Sequence, residues 1–343
     1  HQIEGLEYLK CHLPKNIQEN IKKVILDCVK YHHKKDIEKS HLDDNNLAYI
    51  VNLSDSIAAG WDRRELEEPE EGFDLEQPLK SVFYALGKPD NDNYEHYYYL
   101  RTFLELNNDR IVNFPIASKD EKRLKAIRPN YEKAQQTFDD VFQKAFEGGP
   151  NQILFLLEQV ASFIPSSTSR KEHADISLYD HLKLTSAISG CIYLYLTKNG
   201  TKFENLKKWF NNNDESCPYF LIAEADVSGI QDFIYTTSSE GALKTLRAKS
   251  FYLELLLEHL ADEILEAVGL SRANLLYSGG GHFYLLLPNI KECQELLEQA
   301  RIKINQWFLE NFGTALYIAL DYQECTPLHF KAKKDDVESD DIN

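Results

Sequence analysis

The chain of 343 residues contains no methionine. A chain of this length ordinarily carries several, and this one opens at His1 instead of an initiator. Both features are expected if residues are missing from the written sequence, so spacings between motifs can be short by a residue or a loop. Also lacking is any apolar run of the ~20 residues that span a bilayer, or a charged segment followed by an apolar one at the start. The cysteines at 11, 28, 191, 217, 293 and 325 form no CxxC pair and no zinc spacing. The expectation is a cytoplasmic protein with reduced thiols and no membrane partner.

An excess of basic residues is absent too. Against 38 Lys and Arg stand 55 Asp and Glu, a net charge of −17, which argues against a general electrostatic grip on nucleic acid. Contact with nucleic acid would then need a local basic surface or partner subunits. Acidity concentrates in "ELEEPEEGFDLE" (Glu65–Glu76) and in the tail "KKDDVESDD", read as a solvated loop and a linker. Lys244, Arg247 and Lys249 read as a solvated helix face.

With 43% hydrophobic and 27% charged residues, the chain has room for two domains with separate cores. The first two hundred residues read as helical. Ile17, Ile21, Val24, Ile25 and Cys28 recur at helical spacing, as do Leu47, Ile50, Val51 and Ile57. "NQILFLLEQVASFI" is a third apolar helix and "ISLYDHLKLTSAISGCIYLYLT" a buried one. After "NNNDESCP" the pattern changes to strand Tyr219–Asp226, a long helix, two strands around "SGGGH", a second helix and the strand "ALYIALDYQEC". The order β-α-β-β-α-β is the ferredoxin-like plan, which many unrelated functions share.

Two constellations carry chemistry. In the helical part, His1, the pair His32–His33, Asp55 and His181 are residue types that can build a metal site for phosphodiester hydrolysis. Asp55 lies among Leu53, Ile57 and Ala58, where an unpaired carboxylate is costly. His12, His41 and His96 read as surface or core histidines. In the strand part, "YSGGGHFYLLLPN" (Tyr277–Asn289) spells a tight hairpin, since glycine takes positive φ without a Cβ penalty. Comparable hairpins carry the acids of nucleotidyl-transfer sites, whereas this tip holds glycines and His282. It is a nucleotidyl-transfer site, a nucleotide cradle without its acids, or only a turn.

"HQIEGLEYLK", "KYHH", "LSDSIAAGWDRRE" and "IPSST…DISLYDHLKLTSAI" resemble the HD-type nuclease domain of the large subunit of type III CRISPR effector complexes, nearest to the Csm (III-A) branch. "ADVSGIQDFIYTTSSEGALKTLRAKSFYLELL" and the glycine hairpin resemble the first palm of the same family. The resemblance implies an α+β chain: an all-helical, circularly permuted HD domain (1–205, its N-terminal part missing), a ferredoxin-like palm (206–330) and an acidic linker (331–343). By position, His1, His32, His33, Asp55 and His181 match the family's metal-binding set, with His32, His33 and Asp55 catalytic and Mn²⁺ or Ni²⁺ as the expected ion. The family's His-Asp dipeptide is expected upstream of His1.

In the palm the resemblance implies that Ser228, Gly229, Gly280, Gly281 and His282 cradle ATP while Asp226 holds Mg²⁺. The second acid that two-metal chemistry needs is missing, and so is the Gly-Gly-Asp-Asp hairpin of the family's second palm. Cyclic oligoadenylate synthesis is therefore expected only together with that palm. The implied partners are the other Csm subunits (a small palm-containing and a small helical one), guide RNA, target RNA and single-stranded DNA. A non-catalytic scaffold and a stand-alone HD phosphohydrolase are the competing readings.

Overall fold

The computed structural model describes residues 2–63, 66, 70–83, 95–97, 116–118, 131–199, 205–236 and 242–331. His1 and most of the acidic tail therefore lie outside the described residues. Helices are α1 (Gln2–His12), α2 (Glu19–Lys30), α3 (Lys34–Ile37), α4 (Ala48–Asp62), α5 (Tyr131–Glu147), α6 (Pro150–Ala161), α7 (Leu178–Lys198), α8 (Leu206–Asn211), α9 (Ile230–Tyr235), α10 (Ala242–Val268) and α11 (Lys291–Phe312). The strands are β1 (Glu95–Tyr97), β2 (Ile116–Ser118), β3 (Phe220–Ser228), β4 (Leu275–Gly279), β5 (His282–Pro288) and β6 (Tyr317–Cys325).

The expectation that the first two hundred residues are all-helical is corrected by β1 and β2, which pair antiparallel. The segment "YEHYYYL" around β1 is rich in tyrosine, a β-favouring residue, and its short length hides any period. Helix α5 was not anticipated either, although Ala134, Phe138, Phe142 and Ala145 recur at helical spacing.

Chain contacts divide into two compact units, each discontinuous in sequence. The first takes in His1–Glu7, Gln18–Ser54 and Lys183–Pro327; the second takes in Tyr8–Ile17, Asp55–Leu182 and Leu328–Asn343.

In the first unit β3 to β6 form a fully antiparallel sheet in the order β4-β5-β3-β6. Period-2 alternation along β3 sends Leu221, Ala223, Ala225 and Val227 to one face. There they meet Leu253, Leu257, Ala261 and Leu265 of α10 and Cys293, Leu297 and Phe308 of α11. Each fully buried Phe or Leu in this core contributes roughly 2 kcal/mol or more. The alternate residues Glu224, Asp226 and Ser228 fall on the other face, so the pleat that builds the core also presents Asp226 to the opposite side.

Buried Asn274 ties α7 to this sheet. Its amide donates to the carbonyls of Ala187 (3.1 Å) and Leu286 (2.8 Å). Lys249 is corrected from a solvated position: its ammonium donates to the carbonyls of Phe233 (2.6 Å) and Thr236 (3.0 Å), closing the C-terminal end of α9. Lys244 and Arg247 are exposed, as expected.

Gly229 makes the turn from β3 into α9 with φ of 88°, and a Cβ there would stand 2.0 Å from the carbonyl oxygen of Ala315. Backbone is the obstacle, so no rotamer can relieve it. Gly229→Ala is expected to lower stability by roughly 2–4 kcal/mol, combining left-handed strain and a backbone shift. Gly313→Ala is the control, with φ of 61° but nothing within 4 Å of its Cβ. It should cost about 1 kcal/mol. Equal urea midpoints for the two variants would refute the steric argument.

Candidate functional site

The second unit places His181 between two carboxylates. Ser177 opens α7: its hydroxyl donates to Asp180 (2.7 Å) and accepts from the Asp180 amide (3.0 Å), a capping arrangement that starts the helix just ahead of His181. On α4, Asp55 and Asp62 are seven residues apart, two turns of helix, and so share a face. His181 Nδ1 lies 2.6 Å from Asp62 Oδ2 and Nε2 lies 3.1 Å from Asp55 Oδ1. The exposed fractions of these side chains are 8% for His181, 6% for Asp62 and 14% for Asp55.

Burial works against a charge on the imidazole, but hydrogen bonds and charges of Asp55 and Asp62 outweigh it and push the His181 pKa up to about 9. At neutral pH both ring nitrogens therefore carry protons and donate. Since the folded pKa lies above the ordinary value of 6.5, this charge contributes stability that is fully present below pH 6.5. It is lost as pH rises through about 9. The expected loss is on the order of 3 kcal/mol. Thermal unfolding in EDTA from pH 6 to 10 should show that decline, and His181→Gln should flatten it. A decline of equal size in His181→Gln would assign it elsewhere.

Of the expected metal set, the structure brings Asp55 and His181 together. His32 and His33 belong to the first unit, their rings packed with centroids 4.1 Å apart. His32 Nδ1 is hydrogen-bonded to the Val29 carbonyl (2.7 Å), and Asn52 holds the carbonyls of Tyr31 (3.2 Å) and His32 (2.9 Å). His1 is outside the described residues, among which no group of three or more His, Cys, Asp or Glu is arranged to hold a metal ion. The pair itself fits one. Two ligand atoms at about 2.1 Å from one ion and at right angles stand about 3 Å apart, close to the Asp55–His181 separation. Asp62 was missed in the sequence, where its spacing of seven from Asp55 was the available signal.

In the first unit, Asp226 and His282 face each other across β3 and β5, with Nδ1 and Oδ1 3.2 Å apart and both side chains about half exposed. The hairpin turns at Gly280 (φ 62°) and Gly281 (φ 99°). A cavity of about 270 Å³ lies against this turn, lined by Gly280, Gly281 and Ser278 from the hairpin and by Ile230, Ser250 and Glu254 from α9 and α10. Ser228, Gly229 and His282 do not line it. Ser250 and Glu254 were not anticipated, because one helix turn among the many polar ones of α10 carries no local signal. Behind the rim, burial opposes charge on Glu258, but hydrogen bonds from Ser278 and Arg272 hold its carboxyl below the usual range and anchor the hairpin to α10.

Residues 219–341 match the family described as Csm1 subunit domain B. The chain is 38% identical over 320 residues to a CRISPR system single-strand-specific deoxyribonuclease Cas10/Csm1 (subtype III-A) of Enterococcus italicus, covering 88% of this chain and 40% of the relative. A crystal structure of Csm1 in T. onnurineus superposes with a TM-score of 0.68 at 26% identity, covering 96% of this chain and 42% of that one. A Csm1-Csm4 cassette in complex with one ATP gives a TM-score of 0.66 at 26% identity over 95% of this chain and 41% of that one, and the cassette in complex with cA3 gives the same values. The fold, a four-stranded antiparallel sheet among helices, and these matches define the class: subunits of type III-A CRISPR systems. Within it, residues 219–341 match domain B of the Csm1 subunit, and the chain is similar over most of its length to part of the Csm1 large subunits. It spans about two fifths of the length of the relatives it matches.

Proposed function

We propose that this chain forms the HD nuclease and first palm portions of a type III-A CRISPR large subunit, with metal-dependent cleavage of single-stranded DNA in the first and ATP binding in the second. The observation that carries the nuclease reading is the part-buried pair Asp55–His181, 3.1 Å apart, in a chain 38% identical to a relative named a single-strand-specific deoxyribonuclease. Asp55 and His181 Nε2 would hold the ion, and this imidazole–carboxylate donor set suits Mn²⁺ or Ni²⁺ better than Ca²⁺. When bound, the ion supplies Lewis acidity toward the scissile phosphodiester. His1, His32 and His33 are assigned to the same centre by the resemblance of their motifs alone. The domain limits 1–205, 206–330 and 331–343 are part of this reading.

For the palm, the ferredoxin-like order of elements, the hairpin glycines and the cavity beside them support a nucleotide cradle, and the cassette solved with ATP supplies the ligand class. Gly280 and Gly281 leave the backbone open to close approach, Ser228, Gly229 and His282 offer donors, and Asp226 offers one carboxylate to Mg²⁺. Other Csm subunits, guide and target RNA and single-stranded DNA are the partners in this reading, and the cytoplasm its compartment. The test is cleavage of labelled single-stranded and duplex DNA across Mn²⁺, Ni²⁺, Mg²⁺ and Ca²⁺. Metal-dependent cutting of the single strand supports the proposal, and no cutting with any ion, or equal cutting in EDTA, rejects it.

A further inference from the structure

We infer that Asp62 is the positioning residue of the nuclease centre: it anchors His181 Nδ1–H so that Nε2 is turned toward Asp55 and a divalent cation. The inference rests on the metal-centre reading above and extends it to a residue outside the expected ligand set. A metal-ligating imidazole almost always donates its other ring N–H to an acceptor, which fixes the tautomer and the direction of the ligating nitrogen. Both contacts of the ring are to carboxylates, and they are not equivalent. The Asp62 contact is the shorter, 2.6 Å against 3.1 Å, and its carboxylate is the more buried, 6% exposed against 14%.

The second Asp62 oxygen, Oδ1, is buried with no hydrogen-bond partner. A carboxylate in that position forgoes solvation on one oxygen, and a neutral side chain of similar size would avoid the cost. What a neutral side chain does not supply is a charged acceptor that keeps the proton on Nδ1. The division of labour follows from the helix: Asp55, one turn after Asn52, is the more open acid, and Asp62, two turns beyond Asp55, closes the buried side of the ring.

The experiment uses the full chain with Mn²⁺ alone as probe, following bound ion by calorimetry, and low-field proton NMR of the metal-free protein to follow the His181 Nδ1 proton. Asp62→Ala and Asp62→Asn should each weaken Mn²⁺ binding by about 10- to 100-fold. Asp62→Glu should recover part of it. The Nδ1 resonance should survive Asp55→Ala and disappear in Asp62→Ala. A purely structural role would lower the unfolding temperature of the Asp62 variants without that spectral loss. If Asp62→Ala fails to fold, Asp62→Asn decides. A folded Asp62 variant that binds Mn²⁺ within about twofold of the parent and keeps the Nδ1 resonance overturns the inference. Failure of the metal-centre reading shows differently, in a parent chain that binds no Mn²⁺ or in an Asp55→Ala variant that binds it unchanged, and it removes the inference as well.

Discussion

Asp55→Ala is expected to lower Mn²⁺-dependent cleavage of single-stranded DNA by about 100- to 1,000-fold, equivalent to roughly 3–4 kcal/mol of transition-state stabilisation. Asp55 is the more open of the two acids on His181, and its carboxylate oxygen and Nε2 are the two donors that the second unit directs at one another. Removing it deprives the centre of the carboxylate donor beside His181 Nε2, and imidazole nitrogens without that charge hold a hard or borderline divalent ion poorly in competition with water. The variant should still fold, because Asp62 continues to pair with the ring from the buried side. Circular dichroism separates loss of the centre from loss of the fold. Cleavage at the parent rate by a folded Asp55→Ala protein would place the nuclease centre elsewhere, and the scaffold reading would then be preferred.

The 343-residue chain by itself should form no cyclic oligoadenylate from ATP with Mg²⁺ or Mn²⁺. Two-metal nucleotidyl transfer requires carboxylates on both sides of the attacking and leaving oxygens. Asp226 stands at the end of β3, and the position opposite it on β5 is His282. An imidazole in place of the second acid leaves the paired charge clamp incomplete, at a cost of several kcal/mol in the transition state. ATP should still bind weakly beside Gly280 and Gly281, since the cavity there does not depend on the missing acid. A polypeptide that adds a palm with a Gly-Gly-Asp-Asp hairpin should restore synthesis, and Asp226→Ala in that longer chain should reduce it. Chromatography of labelled ATP reads both outcomes, and oligoadenylate made by the shorter chain would refute the cradle.

The sheet was legible because its signals are local. The apolar run of β3, three glycines between apolar runs and two long helices each arise within about thirty residues of chain. The short pair β1–β2 was not legible, since three-residue strands leave too few positions for any period to show. Lys249 was misread for a related reason. Its acceptors, the carbonyls of Phe233 and Thr236, belong to the end of α9, more than ten residues before it in the chain.

Asp55 and His181 were identifiable as residue types in the right setting, an acid in an apolar helix and a histidine in a small-residue one. By itself the amino-acid sequence determined helices α2, α4, α6, α7, α10 and α11, the four strands β3 to β6 and the absence of a second acid at the hairpin, because each depends on spacing within a single element. Only the tertiary structure decided that Asp62 is a partner of His181, 119 positions away. It also decided that Ser250 and Glu254, not Ser228, line the cavity at the hairpin. Such pairings are set by how helices and strands pack, and packing depends on the summed burial of many side chains, none of which carries the outcome in its own neighbourhood.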